Sequence, residues 1–350
     1  MGIREVAEAA GVSPTTVSHA LNGKGRLPAE TRERVKVVAE RLGYQPNVNA
    51  RNLASGRSGL LALAVSQVKD LAFQLGDFDY FGSLISHATT AAIDRGYALA
   101  VASAADAEET LHKISAEGAI VVDPVPDDPS VGYLRQTGTP LVTTGRSLDG
   151  GEDDCWVDND HVGGLRSVLD HLAGTGSKRI ALLTPRVYNS YIEDILGAYR
   201  SWCAERGFPE MLATAAAISD DAGREAAISL LDGSEPPDAI HAALDRLAIG
   251  VLLAAEDRGL RVPDQLRVAA STDSVAAQTA RPPLTALSMN PEEIGRHAVE
   301  MLIDLVEGVE VENRHVIVPT RVIIRESTGG AAAPETAARN PSRPRRSSSG

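Results

Sequence analysis

The chain is 350 residues long, 43% hydrophobic and 23% charged, enough for two globular domains with real cores plus small appendages. Its two cysteines, Cys155 and Cys203, give neither a disulfide framework nor a metal-ligand spacing, and no run approaches the roughly 18 apolar residues of a membrane span. With no charged-then-apolar leader at its start, the chain is expected to be soluble, unexported and cytoplasmic. The formal net charge of −13 hides an asymmetry. Residues 1–58 hold nine Lys and Arg against five Glu, net +4; residues 331–350 hold four Arg against one Glu, net +3; the stretch between carries −20. A basic head on an acidic body points to a polyanionic partner for the head alone, although chance surface variation also produces such splits.

Ile3, Val6, Ala7 and Ala10 follow helical spacing, and Gly11, which tolerates a left-handed turn, ends that first short helix. Ser13 is a good N-cap and Pro14 a good first helical residue for a second helix, whose apolar face is Val17, Ala20 and Leu21. Asn22-Gly23 closes it. A third helix is predicted over about 29–42, with Val35, Val38, Ala39 and Leu42 inward and Gly43 as its stop. Three short helices, the first two joined by a tight glycine turn, make a helix-turn-helix.

With its apolar face buried, the second helix shows Thr15, Thr16, Ser18 and His19 outward, and no acidic residue stands between Gly11 and Asn22. Short hydrogen-bonding side chains at a helix N-terminus suit the major groove, where base edges carry a distinguishable donor and acceptor pattern and phosphates meet free backbone N–H groups. The same pattern also fits a small capped helix of an ordinary helical subdomain.

After Gly43, Tyr44 to Asn47 reads as a turn and Val48 to Ala54 as two helical turns, too short to be stable alone in water. Arg51 is placed there for phosphate. Leu53 can either wedge into a minor groove and kink the duplex or pack as a core residue on the next domain. Ser55 to Gly59 is a flexible connector.

From Leu60 the texture changes to alternating elements. Strands are predicted at 60–65, 98–103, 118–123, 140–145, 179–184, 238–243 and 265–270, with helices at about 81–95, 107–116, 161–173, 190–206, 222–232 and 245–258. A long helix at about 291–307 and strands at 314–318 and 321–325 follow, and the Ala/Pro/Arg/Ser-rich tail is expected to be disordered. Such alternation means parallel sheets covered by helices, and strand sets on either side of about residue 158 mean two similar lobes. The fold class expected is therefore α/β: a small all-α head and a two-lobed body.

REVAEAAGVSPTTVSHALNG (4–23), ETRERV (30–35) and LGYQPNVNARNLASGRSG (42–59), followed by VDNDHVGG (157–164), GSKRIALLTP (176–185), LDRLAIGVLLAAEDRGLRVPDQLRV (244–268) and PPLTAL (282–287), appear in the order and spacing of a known family. Over about residues 2–328 the chain resembles the lactose-repressor (LacI/GalR) family of bacterial transcription regulators. The resemblance implies a helix-turn-helix head (1–46), a hinge helix and linker (47–58) and an effector-binding, dimerising body (59–328) like a periplasmic sugar-binding protein. The N-lobe would hold about 59–158 and 290–317, the C-lobe about 159–289 and 318–328, and the tail 329–350. It implies a homodimer, or a dimer of dimers, on a near-palindromic double-stranded operator, most simply as a repressor, with no membrane, metal or cofactor involved. The DNA-contacting set is then Ser13, Thr15, Thr16, Ser18, His19, Asn22, Arg51 and Leu53. A small effector, a sugar or related metabolite, would lie between the lobes, where strand ends make a cleft.

By matched position the effector-binding set is Tyr80, Phe81, Arg146, Asp158, His241 and Asp273. Asp158 and Asp273 also fit as caps of helices or turns, and His241 as a satisfied core histidine. Four departures from the family pattern stand out, one of them the segment 66–80, which differs from the usual run after the first strand. Gly2 replaces the usual threonine before the first helix, with Glu5 placed to serve the helix start. Ile195 stands where an arginine often grips ligand, beside Glu193 and Asp194. Ala243-Leu244-Asp245 keeps the aspartate but loses an asparagine. Catalysis is disfavoured: no G-x-G-x-x-G follows a strand, no G-x-x-x-x-G-K-[ST] occurs and no nucleophile elbow is present. A ligand-binding protein without DNA function would not need residues 1–58.

Overall fold

The computed structural model describes residues 2–21, 27–44, 58–66, 79–103 and 107–330. The head is three helices, α1 (Ile3–Ala10), α2 (Pro14–Leu21) and α3 (Ala29–Arg41). Gly11 turns α1 into α2 at φ 65°, a left-handed conformation that a side chain would strain. Gly2 lacks a capping side chain, and the carboxylate of Glu5 reaches back instead to accept the Gly2 N–H at 2.9 Å. Val6, Ala7, Ala10, Val17, Ala20, Val35, Val38 and Ala39 form the head's core, the faces that helical spacing marks as inward. Leu21 and Leu42 close its edges, partly buried.

The N-lobe is built from β1 (Leu60–Val65), α4 (Asp79–Asp94), β2 (Ala98–Ser103), α5 (Ala107–Ile114), β3 (Gly118–Val122), α6 (Pro129–Thr137), β4 (Leu141–Thr144) and β5 (Trp156–Asn159). The C-lobe follows with α7 (His161–Gly174), β6 (Ile180–Pro185), α8 (Ser190–Arg206), β7 (Leu212–Ala215), α9 (Asp220–Leu231), β8 (Ala239–Ala242), α10 (Asp245–Asp257), β9 (Arg267–Ala270), α11 (Val275–Thr279) and β10 (Thr285–Ser288). The chain then returns through α12 (Pro291–Glu307) and β11 (His315–Val318) and ends the body with β12 (Arg321–Ile323). The sheets have orders β11-β5-β4-β3-β1-β2 and β12-β10-β9-β8-β6-β7, parallel throughout except for β12 against β10. Two matching sheets confirm the two-lobed α/β body.

Strands buried on both faces read as unbroken apolar runs, as LLALAV and GAIVV do here. Leu61, Leu63 and Ile120 pack beneath α4 and α12, while Ala62, Ala64 and Val121 meet Leu111 and Leu134 on the other face. In the C-lobe, α9 and α10 cross so closely that a Cβ on Gly250 would sit 2.3 Å from the Asp220 carbonyl and 2.4 Å from the Arg224 nitrogen. Only hydrogen fits there.

The chain passes between lobes at residues 159–160, 288–290 and 318–320. Asn159 ties the three passages together, its amide donating to the Met289 carbonyl at 2.7 Å and the Val318 carbonyl at 3.5 Å. Asn290, at φ 44°, donates to the Pro319 carbonyl at 2.7 Å. These bonds hold the floor on which the cleft is built.

Candidate functional site: the head helix and the inter-lobe cleft

Ser13 caps α2, its hydroxyl accepting the Thr16 N–H at 3.0 Å and lying 2.8 Å from the Thr16 hydroxyl. Val17 and Ala20 are buried, so the remaining face looks outward: Thr15 and His19 are exposed, Thr16 and Ser18 half-buried. The helix carries no acidic residue in its first turn. A polar, unacidic, capped helix end therefore stands clear of the head's core. Asn22, Arg51 and Leu53, with most of the 47–58 hinge and the tail from 331, lie outside the described residues.

Between the lobes lies a cavity of about 560 Å³, the size of a small-molecule site. Its N-lobe wall comes from the C-terminal ends of β1, β3 and β4 and the start of α4, and its C-lobe wall from α8 and the loops after β8 and β9. This is where parallel sheets leave backbone groups and loops open to a ligand. Tyr80, Phe81 and Asp158 line it. The two aromatic rings meet edge to face, centroids 5.5 Å apart, an arrangement that holds a flat apolar wall rigid. Burial, then the nearby Asp123 and Asp158, push the Tyr80 phenol well above its ordinary range, so it stays a neutral donor.

Asp158 is the hub of the polar floor. Its carboxylate accepts the His161 ring N–H (Nε2) at 2.7 Å, the Asn159 N–H at 2.8 Å and the Arg146 N–H at 3.3 Å. His161 stacks obliquely on Tyr191 at 4.7 Å, and the Tyr191 hydroxyl donates to the Ala243 carbonyl at 2.7 Å. His161 Nδ1 is buried with no partner among the described residues, and in the neutral ring that donates from Nε2 it is an acceptor. Asp123, at the end of β3, takes φ 50°, which is why the strand stops at Val122 instead of including it. Burial first and Asp158 second push its carboxyl up to about 7, against an opposing pull from His161.

Arg146, His241 and Asp273 do not line this cavity, a correction to the expected effector set. The Arg146 guanidinium reaches across to the other lobe and pairs with both Asp194 oxygens at 2.6 and 2.5 Å, with Glu193 at 3.8 Å. His241 is fully buried inside the C-lobe sheet with Ser271 Oγ at 2.8 Å; burial lowers it to about 3, and it is a neutral core histidine. Asp273 is held by Arg325 at 2.6 Å, and its neighbour Thr272 faces the cleft in its place. Ile195 is buried in the C-lobe core, so the missing arginine is not replaced from its own position. Asp123, Thr144, His161 and Tyr191 are cleft residues that the residue pattern did not mark. The position of Asp123 and Thr144 at C-terminal strand ends is the signal that points to them.

No helix among the described residues is long and apolar enough to cross a membrane, and none of them group as a metal site. Residues 2–47 match the family described as bacterial regulatory proteins, lacI family, and residues 169–328 match the periplasmic binding protein-like domain. The HTH-type transcriptional regulator CelR of Thermobifida fusca is 31% identical over 332 residues, spanning 92% of this chain and 96% of its own. DegA of Bacillus subtilis (strain 168), another HTH-type transcriptional regulator, is 27% identical across 93% of this chain and 97% of its own. Among solved structures, the CelR–cellobiose complex superposes with TM-score 0.71 at 28% identity, covering 93% of this chain and 99% of that one. The lac repressor dimer bound to operator and the anti-inducer ONPF superposes at 0.74 with 23% identity, covering 94% and 99%, a likeness of fold. These relatives are transcriptional regulators, not enzymes. A helix-turn-helix head with an outward polar helix, joined to a two-lobed periplasmic binding protein-like body and matched along nearly its whole length, makes this chain a DNA-binding transcriptional regulator of the LacI family.

Proposed function

We propose that this regulator is a cytoplasmic repressor that binds a near-palindromic operator as a homodimer and answers to a small hydroxylated metabolite in the inter-lobe cleft. The observation that carries the reading is the outward set Thr15, Thr16 and His19 on α2, whose opposite face is locked into the head's core. In this reading α2 enters the major groove, with Ser13, Ser18 and Asn22 at its edges. Arg51 holds phosphate, and Leu53 wedges the minor groove at the operator centre. Head (1–46), hinge (47–58) and body (59–328) are the working units. One head binds weakly through phosphate contacts that fade with salt; two heads on one dimer supply specificity.

A sugar-like effector fits the carboxylates and aromatic pair of the cleft, and the similar CelR was solved with cellobiose. Lobe movement would change the spacing of the two hinges. A coupling of about 1–3 kcal/mol then shifts operator affinity about 5- to 150-fold. The test is selection of genomic fragments by the full chain at low salt, with and without residues 1–58. The full chain should retain particular fragments over bulk competitor, and the truncated body should retain none. Equal retention by both would defeat the reading.

A further inference from the structure

Many polar groups of the cleft are paired within the protein. Asp79 accepts the Val275 N–H at 2.6 Å, Asp158 is saturated as described, and Arg246 is held by Asp220 at 2.9 Å. Arg146 is spent on Asp194. Besides the Tyr80 hydroxyl, Asn189 Nδ2 and Thr272 Oγ1, three groups able to accept a hydrogen bond have no partner among the described residues. The Asp123 carboxylate accepts no hydrogen bond and pairs with no cation among the described residues. Thr144 Oγ1 and His161 Nδ1, in residues 2% and 6% exposed, have no partner either. All three residues line the one cavity, and the backbone ties two of them together, Asp123 N–H donating to the Thr144 carbonyl at 2.8 Å. Gly145 leaves the carboxylate room, since a Cβ there would sit 3.2 Å from Asp123 Oδ1.

We infer that the cleft takes a hydroxylated ligand carrying a protonated amine, with the ammonium group at Asp123, His161 Nδ1 and Thr144 Oγ1 and the ring frame against Tyr80, Phe81 and Tyr191. An ammonium group brings three N–H donors and one positive charge. Asp123, His161 Nδ1 and Thr144 Oγ1 can each accept from it, and the lining carries more aspartates than cations. A neutral alcohol satisfies the hydrogen bonds but gives the Asp123 carboxyl nothing that favours its ionised form, which an ammonium group does. A phosphate or carboxylate would face four lining aspartates, with both nearby arginines already paired. The inference rests on the effector reading above and narrows its ligand class.

The test compares three matched probes on the full chain at pH 7 by calorimetry: the β-1,4-linked glucosamine disaccharide, its N-acetylated counterpart and cellobiose. The diamine should bind at least tenfold tighter than either neutral sugar, and Asp123→Asn should erase that preference. Asparagine also tolerates the left-handed backbone at this position, so the variant keeps the local fold. Neutral sugars binding as tightly as the diamine, a preference that survives D123N, or no binding of the diamine would each overturn the inference. If a neutral sugar alone shifts operator affinity, the regulator reading stands and only the amine falls. If the full chain selects no genomic fragment, the regulator reading falls by itself.

Discussion

The head and the cleft use polar side chains under opposite rules. On α2, Thr15 and His19 face solvent, where an unpaired hydroxyl or imidazole is solvated by water and costs little. Such a surface can wait for a partner without destabilising the fold. In the cleft, such groups are more buried, and many have a protein partner: Asp158 with three donors, Tyr191 with Ala243. The exceptions there are expensive, so they are informative. An unpaired group on the head says only that water reaches it, whereas Thr144 Oγ1 and His161 Nδ1 are unpaired although buried.

Four changes break or sharpen this contrast. The largest acts on the body's frame alone. Gly250→Ala forces α9 and α10 apart and should destabilise the C-lobe by about 3 kcal/mol, read as a lowered urea midpoint; an unchanged midpoint would mean the helices part freely. Next, His19→Ala should cost cognate operator binding about 2 kcal/mol while sparing random DNA, measured by anisotropy on matched and scrambled duplexes. Equal losses on both would reduce the head's polar face to phosphate contact.

The third change tests the cleft's rule by pH. The Asp123 carboxyl sits at about 7 in the fold against 3.8 ordinarily, so the folded state keeps its proton longer than the unfolded chain. Its contribution favours folding at acid pH and is lost as pH rises from about 4 to 7. Asp123→Asn removes that loss, so its stability advantage should grow across this window to roughly 1–2 kcal/mol and stay level above it. A constant difference from pH 4 to 8 would mean that the carboxyl is as well solvated as an exposed one. The smallest effect belongs to Arg146→Ala. The Arg146 and Asp194 side chains are 35% and 18% exposed, so breaking their bridge should cost under about 1 kcal/mol of stability. Because the pair joins the two lobes, small-angle scattering should show a more open body; unchanged scattering would show that the hinge bonds of Asn159 set the lobe angle instead.

Much of the architecture is legible in residue order. The helices 190–206 and 291–307 lie where the spacing predicts them, and the apolar faces of α1, α2 and α3 are the ones buried. The helix starting at Asp79 and the strand ending at Val122 differ from expectation by one or two residues, the second because Asp123 turns left-handed. Strands β5, β7 and β10 and helices α6 and α11 were not visible. WVDN, LATA and TALS are four residues each, too short to show a period, and exist as strands because neighbouring strands offer them a ladder. Of the effector residues taken from matched position, Tyr80, Phe81 and Asp158 line the cavity. Arg146, His241 and Asp273 do not: the Arg146 guanidinium is drawn to Asp194, His241 is buried within the C-lobe sheet and Asp273 is turned to Arg325.

Spacing and residue type alone determine the local elements, the head's inward faces, the two-lobed α/β plan and the charge split between head and body, because these depend on contacts within a turn or along a strand. Which carboxylates and imidazoles are already paired depends on groups 30 to 196 residues apart, as in His241 with Ser271 and Asp79 with Val275. Only tertiary packing brings such partners together, and so only the folded chain separates the polar groups that are paired within it from the few that are not.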